Sequence, residues 1–263
     1  MTANRAHIVP LAWQVGTSVG LLAIWQWAAL AHPAPYLPRL ENIVAGYLRL
    51  WHGDLLWSAI VPSLYRLAVG FFIAVLLGSV AGITIGSLRG LDPWVRPVLE
   101  YLRFIPAVAI LPASLLLFGA TDKMRIFVIA FGSIFPVLLA AIDGARRVEP
   151  MLIDVARVNR LSVAQRLFRV VLPAALPSVF AGTRIALSIA LVMMVISELI
   201  AADDGLGFYI LRNQRLFLTA NVYAGVLTIG TIGLAFTLAL LSFEKRVLAW
   251  YRGWRGLVDV RGA

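Results

Sequence analysis

The chain has 263 residues, 61% of them hydrophobic and 14% charged, with a mean hydropathy of +0.88 and a formal net charge of +10. A soluble domain is about half apolar and a quarter charged, so lipid must be the solvent for much of this surface. Cysteine is absent, which excludes disulfides, thiolate metal sites and cysteine nucleophiles, and His7, His32 and His52 lack metal-ligand spacing.

The expected fold is all-α and integral to the membrane, a single transmembrane domain over 1–263 with about six spans of roughly 20 apolar residues. The first, 8–31, carries no formal charge and ends at His32-Pro33-Ala34-Pro35. It is too long for a signal-peptide core, and no convincing cleavage site follows it. The second, 64–88, includes Gly78, Gly82 and Gly86 on a four-residue repeat suited to close helix–helix approach. The third and fourth, 98–119 and 124–143, contain Pro106, Pro112 and Pro136, which are expected to kink them. The fifth and sixth are 176–202 and 217–243. Trp13, Trp25, Trp27, Trp51 and Trp57 read as anchors at the membrane interface.

Lysine and arginine set the orientation. With the N-terminus inside, fifteen of the 23 basic residues fall on inner segments and six on outer ones, so both termini are expected in the cytoplasm. Basic residues cluster between apolar runs, with no soluble domain to carry a nucleic-acid patch, so nucleic acid is not an expected partner.

Residues 144–175, between the fourth and fifth spans, are far too many for a turn. Glu149-Pro150 opens one short helix, and Ser162 with Gln165 forms a capping box for a second, which Pro173 and Pro177 are expected to stop. Val163, Leu167 and Val170 share a face of the second helix, with Arg166 and Arg169 off it. On the residues alone, this hairpin either lies on anionic headgroups or is a platform for a partner.

Arg184 and Glu198 are the charges well inside the fifth span. Fourteen residues apart, about 21 Å along a helix, they cannot pair with each other but point roughly the same way. With Ser188, Leu191 and Val195 they could mark a pathway stripe. Alternatively Glu198 pairs with a basic residue of another helix, and Arg184 snorkels to the interface. The outer loop 203–221, with Gly205 and Gly207, is either an amphipathic or re-entrant segment closing the outer mouth or a polar connector.

The hairpin resembles the cytoplasmic loop of ABC importer permease subunits, whose pattern is E-A-A, three residues, G, nine residues, then I-x-L-P. The aligned residues are Asp154, Val155 and Ala156, then Arg160, then Val170, Leu172 and Pro173, at the same spacing, with Arg157 and Leu161 inside the motif. Arg160 stands where the family has glycine. A positive φ costs arginine about 1 kcal/mol or more, so the turn is built differently or the bend falls elsewhere, for example at Asn159. The likeness runs from Tyr36 to Trp254. Leu111–Ala140 and Ser197–Ile210 are similar to permeases for aliphatic sulfonates, taurine and nitrate.

The resemblance implies a type I ABC importer permease, a homodimer in lipid of the bacterial inner membrane. Two cytoplasmic ATPase subunits would dock on 154–170, and a periplasmic or lipid-anchored binding protein would deliver the solute. No cofactor and no catalytic residue is expected on this chain; ATP and Mg belong to the ATPase, and no Walker A loop is present here. Bicarbonate, an aromatic carboxylate or a thiamine precursor are the alternative solutes. A secondary transporter would be longer, with internal repeats and more buried acids.

Overall fold

The computed structural model describes residues 5–88 and 90–251, with side chains described throughout except at 5–12, 14 and 92. Arg89, Arg252, Arg255 and Arg261, which entered the charge asymmetry, lie outside the described residues, as do the side chains of Arg5 and His7. The helices in chain order are α1 (Arg5–Ala31), α2 (Leu40–Leu50), α3 (Leu56–Ser87), α4 (Asp92–Phe104) and α5 (Ala107–Phe118). They continue with α6 (Asp122–Arg146), α7 (Pro150–Val158), α8 (Val163–Ala201), α9 (Gly205–Arg215) and α10 (Thr219–Val247). Among the described residues, α3, α6, α8 and α10 are each long and apolar enough to cross a membrane.

The run expected as one span over 98–119 is not a continuous helix. Its two halves, α4 and α5, meet at 84°. Pro106 forces the residue before it out of the helical region, and Ile105 is extended at φ −69°, ψ 119°. Counted as one, the bent pair makes a fifth candidate span. By contrast, α6 runs through Pro136 unbroken.

The bundle is built on α3, α6 and α8, packed against one another at backbone distance. A methyl group at Gly82 would lie 2.5 Å from the Leu138 carbonyl oxygen, and one at Gly86 2.6 Å from that of Ile142. The four-residue glycine repeat therefore faces α6, as its spacing suggests. Gly182 makes the matching approach from α8, where a methyl would meet the Pro136 carbonyl at 2.6 Å. Glycine earns its place here because lipid offers no hydrophobic drive, so association rests on close packing.

Apolar side chains gather in two layers. One holds Ile60, Leu67, Val128, Ile129, Met193, Met194 and Leu206. The other holds Ile83, Val137, Ala141, Val171, Ala175 and Val179. The latter lies toward the 144–175 hairpin. Trp51 packs in the first layer against Tyr47. Trp25 donates to the Pro38 carbonyl at 3.0 Å and stands edge-on to Tyr223. These two tryptophans are therefore packing residues, while Trp13, Trp27 and Trp57 are exposed as interface anchors would be.

Two prolines sit inside long helices by the same device. The Val61 N–H bonds to the Leu56 carbonyl, five residues back, just before Pro62. The Leu172 N–H bonds likewise to Leu167, just before Pro173. Such a wide turn makes room for a ring that an α turn would reject. The second hairpin helix is consequently not stopped at Pro173 or Pro177. It runs on into the fifth span as one helix of 39 residues.

Candidate functional site

At one end of the bundle, Arg66 of α3 is buried to 1% exposure and gathers three acids from three other segments. Its Nη1 donates to Glu198 Oε1 of α8 at 2.9 Å, and its Nε to Asp122 Oδ1 of α6 at 2.7 Å. Its Nη2 pairs with Asp204, just before α9. Asp122 also accepts from Arg125 at 2.8 Å, and Arg125 in turn donates to the Ala201 carbonyl at the end of α8.

Glu198, equally buried, is held from every side. The Ser63 hydroxyl lies 2.8 Å from both carboxylate oxygens, and the Gly207 N–H donates to Oε2 at 2.9 Å. Ser63 itself accepts from the Leu206 N–H at 2.8 Å. The first turn of α9 thus gives one free N–H to the carboxylate and one to the hydroxyl that donates to it, where the helix dipole also favours negative charge.

The glycine pair now has a reason. A methyl at Gly205 would lie 2.6 Å from the Glu198 carboxyl carbon, and one at Gly207 2.6 Å from its Cβ. Gly205 also takes φ +95°. The loop 203–221 is therefore mostly an ordered helix docked on the bundle. It is not a loose polar connector.

The three candidate pathway residues separate. Glu198 belongs to the clamp, covered by α9. Arg184, nearer the hairpin end of the same helix, pairs with Glu244 of α10, its Nε 3.0 Å from Oε2. Ser188 is exposed on the same face as Arg184. Fourteen residues do return a helix to nearly the same face; what packs over each end differs.

At the opposite end stands the hairpin. Glu149 precedes α7, and the Ser162–Gln165 capping box is complete, with both reciprocal bonds formed. Arg160 itself takes the positive φ, +54°, and Asn159 does not, at φ −76°. The Arg160 N–H donates to Arg157 at 2.8 Å and the Leu161 N–H to Ala156 at 3.0 Å. That pair of bonds is the glycine-type helix ending, built with arginine in the left-handed position.

On α7, Ala156 is buried, while Met151, Leu152, Val155 and Val158 form an exposed apolar face. Asp154 and Arg157 pair at 3.1 Å on another side and are largely exposed. Val170, Leu172 and Pro173 are partly buried within α8, and the first two pack on the inner layer. They anchor the hairpin rather than present it. Among the described residues, no group of His, Cys, Asp or Glu is placed to hold a metal.

The sequence reading placed Arg66 inside a helix but gave it no role, although its signal was there: it is the lone charge between Asp54 and Arg89. Asp122 and Asp204 gave no such signal, because they sit among other charges at span ends.

Three relatives are similar over most of the chain. The Bacillus subtilis (strain 168) permease protein SsuC, named for aliphatic sulfonates transport, is 30% identical over 249 residues, covering 95% of this chain and 87% of its own. The Escherichia coli (strain K12) taurine transport system permease protein TauC is 33% identical, covering 92% of each. The Synechococcus elongatus bicarbonate transport system permease protein CmpB is 33% identical, covering 76% of this chain and 69% of its own. A family match over residues 74–252 takes in the C-terminal part of α3, both halves of the bent pair, α6, the hairpin and α8 to α10, and this chain belongs to that family, the binding-protein-dependent transport system inner membrane component.

Proposed function

We propose that two copies of this chain form the channel of a bacterial importer for a small anion such as a sulfonate, taurine or bicarbonate. The names of its relatives support that solute class. A solute-binding protein delivers the anion at the Arg66 end, and a separate ATPase drives the cycle from the hairpin end, where ATP and Mg are bound.

The observation that carries this reading is the α7 face. Met151, Leu152, Val155 and Val158 are exposed on a short helix that runs from a proline start to the Arg160 turn. Four apolar side chains presented from a basic hairpin suit burial in a cleft of a partner protein. The arginines around them support a cytoplasmic location for this end.

The solute path runs past the α4–α5 bend. Ala107 sits against Gly132, whose added methyl would lie 3.1 Å from the Ala107 Cβ. Gly132 is ten residues, about 15 Å, below the start of α6, which is mid-depth in a bilayer. Irregular backbone at that depth cannot face lipid, and Phe104, Ile105 and Val108 are exposed around it. It therefore borders water-filled space between the two copies.

The test is a mild-detergent pull-down of tagged protein from its native host, read by mass spectrometry. An ATPase should co-purify with wild type and be lost from Val155→Asp/Val158→Asp while the permease stays folded. Retention of the ATPase by that variant would remove α7 as the docking element. Absence of any ATPase from an intact dimer would overturn the importer reading.

A further inference from the structure

Behind the hairpin lies a cavity of about 820 Å³, bounded by the ends of α3 and α6, the side of α7 away from its exposed apolar face, and the start of α8. Arg146, Arg157 and Arg166 line it, with Asp154 as the one acid among the described side chains. Leu91, Val148 and Leu167 supply apolar wall.

Among the described lining residues the charge balance is positive, and one donor is unspent. Arg157 is matched by Asp154. The Nε of Arg166 is buried and has no hydrogen-bond partner. A buried guanidinium N–H without an acceptor is costly, and the acceptor that suits a guanidinium best is a carboxylate, phosphate or sulfonate oxygen. Cavity, apolar wall and unspent donor thus call for the same kind of occupant.

We propose that this cavity is a binding site for a tetrahedral oxyanion, held by Arg166 and Arg146, with room beside it for an apolar group. Two sources share that chemistry: the phosphate of an acidic phospholipid, since the cavity opens at the end of the spans, and a free anion from the cytoplasm. The site is distinct from the proposed docking face, because Met151, Val155 and Val158 point away from it and do not line it. An occupant would bridge the hairpin to α3 and α6 and stiffen the element on which the partner pulls. Binding itself does not depend on the importer reading, so the test reads binding.

The full-length protein, delipidated in detergent, would be titrated separately with phosphatidylglycerol, phosphatidylcholine and inorganic phosphate, following melting temperature and bound lipid by native mass spectrometry. Wild type should be stabilised by phosphatidylglycerol or by phosphate but not by phosphatidylcholine, and whichever acts names the source. Arg146→Gln/Arg166→Gln should weaken that binding at least about tenfold, the loss expected for a charge-assisted hydrogen bond. Arg169→Gln, on the same helix but outside the cavity, should leave it unchanged. Val163→Trp, which fills the cavity mouth without altering charge, should weaken binding as well and serves if the double variant misfolds. Equal response of wild type and Val163→Trp to all three additives, or no response to either anion, would overturn the proposal.

Discussion

Arg66 of α3 and Glu198 of α8, separated by 132 positions in the chain, meet at 2.9 Å with both side chains sealed from solvent. Breaking a buried pair from one side leaves a charge with no solvent to receive it, at about 3–5 kcal/mol. Arg66→Ala should therefore lower the melting temperature sharply in detergent. Arg66→Met/Glu198→Leu should recover part of the loss, because no fully buried lone charge remains: Asp204 is half-exposed and Asp122 keeps Arg125. An Arg66→Ala protein that melts with wild type would show that the clamp does not hold the three helices together.

The glycine seam between α3 and α6 should be intolerant of any side chain. Gly82→Val places atoms where the Leu138 carbonyl and the Ala141 methyl already lie, with contacts of 2.5 and 2.6 Å at the Cβ alone. Overpacking of this kind costs about 1–3 kcal/mol and more when backbone must move. Gly230→Val is the control, since nothing lies within 4 Å of its added Cβ. Comparable melting of the two variants would refute close α3–α6 packing.

Arg160→Gly should be stabilising. The left-handed position at φ +54° is one that glycine takes without steric penalty. A gain of about 1 kcal/mol is expected, offset slightly by the freer unfolded chain. Equilibrium unfolding of the two proteins decides the sign, and a destabilised glycine variant would mean that the arginine side chain contributes more than its backbone costs.

Arg184 and Glu244 form a pair that is half open on the arginine side, at 49% exposure against 9%. Each single alanine variant should cost about 1 kcal/mol, and the double variant little more than either. If Arg184 also guides an anion, uptake should fall in Arg184→Ala and stay low in the double variant. Unchanged uptake in both would leave Arg184 as a strut between α8 and α10.

The chain has no cysteine, so single cysteines report cleanly on water access. Cysteines at Phe104, Ile105 and Val108, around the α4–α5 bend, should react with a membrane-impermeant thiol reagent in native membranes. Cysteines at Phe72 and Val80, on the exposed face of α3, should not. Labelling at α3 alone would place the bend against protein or lipid and move the solute path elsewhere.

Much of this architecture is legible in the sequence, for a physical reason. A bilayer demands long apolar runs with internally satisfied backbones, so spans, the glycine repeat of α3 and the capping box at Ser162 are local statements that any reader of the chain can make. The motif spacing from Asp154 to Pro173 is equally local. What the sequence left open depends on contacts between distant segments. Whether Pro106 breaks a helix while Pro136 and Pro173 do not is decided by room in the neighbouring turn and packing, not by proline itself. Glu198 announced that it needed a partner, but only the tertiary structure selected Arg66 and brought Ser63, Asp122, Asp204 and the first turn of α9 to the same point. Burial made that choice: in a low-dielectric interior an unmatched charge is costly, and the match is made by whichever groups the close packing of α3, α6 and α8 brings within reach.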